Sequence, residues 1–196
     1  MRLALSVLMS LSVMGGTSFA DPMNGQEAGA ELFDTSSIGL QLAGGLSDKE
    51  RATIKTLIPL IEQQTGTKAK FYGALAYAPD EGLVSAALQG AFNFHTVDAA
   101  DQAALQACTN AKQATSGACK LAARILPPGY QKRAISLSHD ATQMFFDRYV
   151  SATGTKFFAA SRGSGAWGMA PSQSGALRAC ERDAKGAKDC AIIVKD

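Results

Sequence analysis

The sequence is poor in histidine. Only His95 and His139 occur in 196 residues, beside 19 basic and 17 acidic side chains that sum to +2. A charge so near neutral, with no lysine-rich run, argues against a nucleic-acid-binding face. No Cys-x-x-Cys occurs, which removes the usual thiol oxidoreductase motif and the short paired spacing of zinc sites. No Gly-x-Ser-x-Gly elbow occurs either. The nearest glycine-rich stretch, Arg162-Gly163-Ser164-Gly165-Ala166-Trp167-Gly168, lacks the Lys and Ser/Thr that close a phosphate loop and reads as a strand-connecting turn. No cofactor and no metal are therefore expected. The chain is 46% hydrophobic and 18% charged, a balance that allows a buried core and excludes global disorder.

What is present begins with an address. Arg2 precedes the apolar stretch Leu3 to Met14, Gly15-Gly16 break it, and Ser18-Phe19-Ala20 place small residues where a signal peptidase reads. The run is shorter than the roughly 20 residues of a bilayer span, and no later segment is longer, so no stable membrane insertion is expected. No cysteine follows it, which excludes a lipoprotein. Residues 1–20 are read as a cleaved signal peptide, and the mature protein is expected in the periplasm or the medium.

The remainder repeats itself. Thr65-Gly66-Thr67-Lys68 recurs as Thr153-Gly154-Thr155-Lys156, and an apolar run follows each: Phe71-Tyr72-Gly73-Ala74-Leu75-Ala76-Tyr77 and Phe157-Phe158-Ala159-Ala160-Ser161. Ala104-Leu105-Gln106-Ala107-Cys108 recurs as Ala176-Leu177-Arg178-Ala179-Cys180. A second cysteine follows each, Cys119 and Cys190, ahead of another apolar run. Upstream, Ser47-Asp48-Lys49-Glu50 is a capping box. It leads a helix with Ile54, Leu57, Ile58 and Ile61 on one face, which Pro59 is expected to kink or break. Ser138 caps the corresponding helix with Ala141, Met144, Phe145 and Tyr149 on one side. The expected fold class is α+β: two pseudo-repeats of helix-strand-strand-helix-strand. Residues 21–46 form a partly ordered arm, 47–126 and 137–196 the repeats, and 127–136 a connector opened by Pro127-Pro128-Gly129. The strands of the two halves are expected to pair in one sheet.

Four cysteines allow three pairings. The repeat favours Cys108–Cys119 and Cys180–Cys190, local bridges that suit an oxidising compartment.

Candidate reactive residues are few. His95 could serve as a base oriented by Asp98, or be a loop residue at a helix start. His139, beside Asp140, reads as a helix-start surface residue. Asp80-Glu81 read as a solvated turn tip rather than a glycosidase pair. Trp167 and Tyr72 are the contact candidates, although the aromatic runs at Phe71-Tyr72 and Phe157-Phe158 read mainly as core.

The strand Tyr72-Gly73-Ala74-Leu75-Ala76, the helix Ala104-Leu105-x-Ala107-Cys108 and Cys119 before a strand together resemble small exported alphaproteobacterial proteins with a duplicated domain of unknown function. The resemblance implies a fold and an address, not a reaction. Look-alikes sometimes labelled 5-aminolevulinate synthase would need a pyridoxal-phosphate domain, a Schiff-base lysine and a phosphate cup, and no such constellation is legible here. The expected function is a non-enzymatic binding, inhibitor or envelope accessory module whose partner is a protein or envelope component. A small periplasmic hydrolase using His95 is the alternative.

Overall fold

The computed structural model describes residues 21–66, 68–185 and 188–196. The expected signal peptide and Thr67 lie outside the described residues. A lead-in of α1 (Gly25–Glu31) and β1 (Gly39–Leu42) precedes two halves. The first comprises α2 (Asp48–Thr65), β2 (Gly73–Tyr77), β3 (Gln89–Ala91), α3 (Val97–Ala111) and β4 (Lys120–Leu126). The second comprises α4 (His139–Met144) with a π-helical turn (Phe145–Tyr149), then β5 (Phe157–Ser161), β6 (Trp167–Ala170), α5 (Gln173–Asp183) and β7 (Cys190–Lys195). The class is α+β, as the pattern of elements predicts.

Local chemistry explains most element boundaries. Ser47 caps α2 and Glu50 reaches back to the Ser47 amide at 2.7 Å, a complete capping box. Thr96, Ser138 and Ser172 cap α3, α4 and α5, each accepting the amide three residues on. Pro59 does not break α2: the helix continues through it to Thr65. Pro59 is exposed, so the carbonyl left without its helical partner can turn to water.

The sheets are antiparallel, with orders β1-β4-β2-β3 and β6-β5-β7. Without β1 the orders correspond, the first strand of each half lying at the centre. Both ladders also slip at one step. Leu75 pairs with Ala123 but Ala76 with Leu121, and Phe158 pairs with Val194 but Ala159 with Ile192. The extra residue is Ala122 in one half and Ile193 in the other, each the third after the second cysteine. This register sets Phe158 level with Leu75, so Phe71-Tyr72 lie ahead of the strand and are not the counterparts of Phe157-Phe158.

Each sheet is covered on both faces. Ala74, Ala76 and Ala78 face α3 through Ala100, Ala104 and Cys108, while Leu75 and Tyr77 pack against Ile54 of α2. In the second half Ala159 meets Ala176 and Cys180 of α5, and Phe158 and Ala160 meet Phe145 and Tyr149. Alternate residues of one strand thus serve two cores.

The two halves do not share a sheet, contrary to expectation, and the arm supplies the reason. β1 occupies the outer edge of β4 over Gly39 to Leu42. Met23 bonds the outer edge of β7 through Ile193 O at 3.1 Å and the Lys195 amide at 2.9 Å. The segment expected to be partly ordered thus covers an edge of both sheets. The disulfides are the expected Cys108–Cys119 and Cys180–Cys190, each with Cα atoms 6.2 Å apart. They tie α3 to β4 and α5 to β7. Among the described residues no helix is long and apolar enough to cross a membrane.

Candidate functional site

The halves meet along a polar seam. His95 lies one residue before the α3 cap and is buried, 3% exposed. The Ser138 amide donates to its Nδ1 at 2.9 Å, so the proton sits on Nε2, which donates to Ala166 O at 2.8 Å. Burial lowers the His95 pKa to about 4, although the bond to Ala166 and the charges of Asp183 and Asp189 pull the other way. Both ring nitrogens are therefore committed to backbone groups of the second half. Asp98 is exposed on the first turn of α3 and is not the partner of either nitrogen. The geometry of a carboxylate-oriented base is absent from this pair.

Asp140 forms the second part of the seam. Its carboxylate accepts Lys70 at 2.7 Å and the Asn93 side-chain amide at 3.1 Å, and His139 Nδ1 lies 3.2 Å away. Burial alone would raise this carboxyl, and the bonds to Lys70 and His139 outweigh burial to hold it below its ordinary value. His139 is not a free surface residue: Nε2 bonds Thr35 O at 3.0 Å and its ring meets Phe71 edge-on. Its backbone N–H also donates to Phe71 O at 2.8 Å.

Of the glycine-rich stretch 162–168, residues 162–166 form the β5–β6 turn, and Trp167 and Gly168 already belong to β6. A Cβ on Gly165 would collide with the Asn93 carbonyl oxygen, so glycine is what lets the second half close on the first. The Gly163 amide is taken by Asp189 Oδ2 at 2.7 Å, so it is not open to an outside anion. The first half mirrors this with roles exchanged: Asp80 Oδ2, on the β2–β3 turn, accepts the Gly117 amide at 2.7 Å. Glu81 accepts the Ser116 hydroxyl at 2.7 Å and the Gln113 amide at 2.9 Å. The Asp80-Glu81 pair is thus bound to the disulfide loop rather than left as a solvated tip.

The two contact candidates part company. Tyr72 is 1% exposed, meets Tyr130 edge-on at 5.5 Å, and its hydroxyl pKa is raised by burial; it offers no surface to a partner. Trp167 stacks parallel on Phe158 at 5.4 Å. It lines a recess of about 370 Å³ with Met144, Arg148, Met169 and Asp183.

A second concavity runs along the connector. Two adjoining cavities of about 260 Å³ each share Thr96, Lys132, Arg133 and Ser136. One continues to His95, Arg162, Ala160 and Ile193, the other to Asp98 and Tyr130. The sequence carries no signal for Lys132 or Arg133, because the cleft joins the connector to the β5–β6 turn, two segments that no local pattern links. Among the described residues no three His, Cys, Asp or Glu side chains converge as metal ligands.

Compared with known proteins, the chain matches no family model, no curated protein and no solved structure.

Proposed function

We propose that the protein is an exported, non-enzymatic binding module built from a copied unit, with the Trp167 recess as its contact surface. The observation that carries this reading is the indole of Trp167. It stacks parallel and offset on the buried Phe158 and borders an open recess between two thioether side chains and a separated pair of charges. A rigid aromatic in a partly polar hollow is the usual anchor of a protein contact, because it loses little side-chain freedom on binding. Two disulfides support an oxidising compartment, where such bonds persist. Matching strand orders and the ladder slip three residues after each second cysteine support duplication. The commitment of both His95 nitrogens to backbone supports the non-enzymatic reading over a hydrolase.

The test uses Trp167 as its own reporter, since it is the chain's one tryptophan. Components of a periplasmic extract retained on immobilised protein are compared with those retained on Arg148→Glu, an exposed change at the recess rim. Each retained component is then titrated into free protein while the indole emission is followed. A component lost on Arg148→Glu that also shifts the emission saturably supports the proposal. Retention unchanged by Arg148→Glu with silent emission refutes the recess as the contact site.

A further inference from the structure

We propose that the outer edge of β6 takes up an extended segment of a partner polypeptide, which joins the second sheet as a further antiparallel strand. The inference rests on the Trp167 recess as the contact surface and names what fills it. The second sheet has the order β6-β5-β7, and Met23 closes its β7 edge. Its β6 edge has no strand beside it among the described residues. The recess of about 370 Å³ lies along that edge, because its walls come from opposite faces of the sheet. Ala179 and Asp183 belong to α5, which covers the face of Ala159. Met144 and Arg148 belong to α4 and its π-helical turn, which cover the face of Phe158 and Ala160. The backbone of Trp167, Gly168 and Met169 runs between the walls. Gly168 lets α5 come down close on the strand, since a Cβ there would collide with the Ala176 carbonyl and the Cys180 amide.

The ladder decides which backbone groups face the recess. In an antiparallel pair, residues that exchange hydrogen bonds alternate with residues that do not. The Ser161 amide donates to Ala166 O at 2.9 Å. Along the register the bonded pairs are then Ala159 with Gly168 and Phe157 with Ala170. Trp167 and Met169, opposite Ala160 and Phe158, direct N–H and C=O away from β5. The Trp167 amide agrees with this phase, donating outward to Asp183 Oδ2 at 3.2 Å. That leaves the Trp167 carbonyl and both backbone groups of Met169 without a partner among the described residues. An extended strand meets these needs, one of its residues exchanging two bonds with Met169, whereas a helix has its backbone bonds inside itself. The side chain of that residue shares a face with Met169 and meets Met144, Met169 and Trp167, which selects an apolar one. Its neighbours in the added strand point to the α5 wall beside Asp183, which admits polar ones. A second copy of the chain is a poorer occupant. Antiparallel pairing of two β6 edges sets like wall against like, Arg148 toward Arg148 and Asp183 toward Asp183.

The test titrates the disulfide-bonded, nitrogen-15-labelled protein with the acetylated and amidated pentapeptide Thr-Val-Thr-Val-Thr, following backbone amides by NMR. Two derivatives run beside it, one N-methylated at both valines and one at the central threonine. The unmodified peptide is expected to move the Met169 amide downfield saturably and to slow its exchange with deuterated water. Methylation of the valines, which face Met169, weakens binding at least about tenfold, whereas methylation of the threonine, whose N–H points away from β6, alters it by less than about threefold. The proposal is overturned by no saturable shift at Met169, by equal effects of the two methylations, or by a dimer that already protects the Met169 amide without peptide, which gives the edge to a second copy. Saturable indole emission with equal effects of the two methylations overturns strand addition alone. The recess reading itself fails on the extract comparison with Arg148→Glu.

Discussion

The Ser138 amide donates to His95 Nδ1 at 2.9 Å, so a side chain of the first half serves the capping residue of the second half's leading helix. The same ring reaches Ala166 O at 2.8 Å in the β5–β6 turn. One imidazole thus fastens two elements of the second half to the loop that opens α3. His95→Ala leaves both backbone groups unpaired in a dry site and opens a cavity. We expect a loss of about 2–4 kcal/mol in urea unfolding, and a loss under about 0.5 kcal/mol would show that the contact is incidental.

The same ring makes stability depend on pH. Unfolded, His95 takes up a proton near 6.5; folded, only near 4, because burial penalises the imidazolium. The unfolded chain therefore binds more protons between these values. Stability is fully present above about pH 6.5 and falls as the pH is lowered toward 4. The whole effect is on the order of 3 kcal/mol, at about 1.4 kcal/mol per unit. Asp140 acts in the same sense at lower pH, its contribution being lost as its carboxyl protonates below the ordinary 3.8. Urea midpoints at pH 7 and pH 5 should differ in the wild type and differ much less in His95→Gln.

Glycine at 165 is a condition for the halves to meet. Gly165→Ala drives a methyl group into the Asn93 carbonyl and should cost about 3 kcal/mol or more. Gly44 is the control: an added Cβ there meets nothing within 4 Å and its φ is not positive. Gly44→Ala should stay within about 0.5 kcal/mol of wild type, and thermal melts of the pair compare them directly.

Each disulfide closes a loop of ten or eleven residues, so replacing either pair by alanine should cost about 3 kcal/mol. The carboxylates that pin the same loops rank differently. Asp80 accepts the Gly117 amide, whereas Asp189 accepts the Gly163 amide and also the hydroxyl of Ser161, which is 1% exposed. Asp189→Ala should cost about 1–3 kcal/mol and Asp80→Ala clearly less. Equal losses would mean that burial of the Ser161 hydroxyl adds nothing.

Short-range chemistry was readable from residue order alone. The capping box at Ser47, the alternation of strand and helix and the pairing of each cysteine with its neighbour act over separations of about a dozen residues or fewer, where spacing carries the information. Trp167 was singled out as a contact candidate, but it opens strand β6 rather than lying on a loop, and its recess was not legible, because Met144 and Arg148 come from a different segment than Asp183. Of the kink or break expected at Pro59, the break does not occur, since that position faces water. Separation of the sheets and the commitment of both His95 nitrogens to backbone depend on groups far apart along the chain. His95 lies 43 residues from Ser138 and 71 from Ala166. Edges left open by each half are closed by the arm at Met23 and β1. Contacts at that range are chosen by which packing satisfies every buried polar group at once, and that choice exists only when the whole chain has folded.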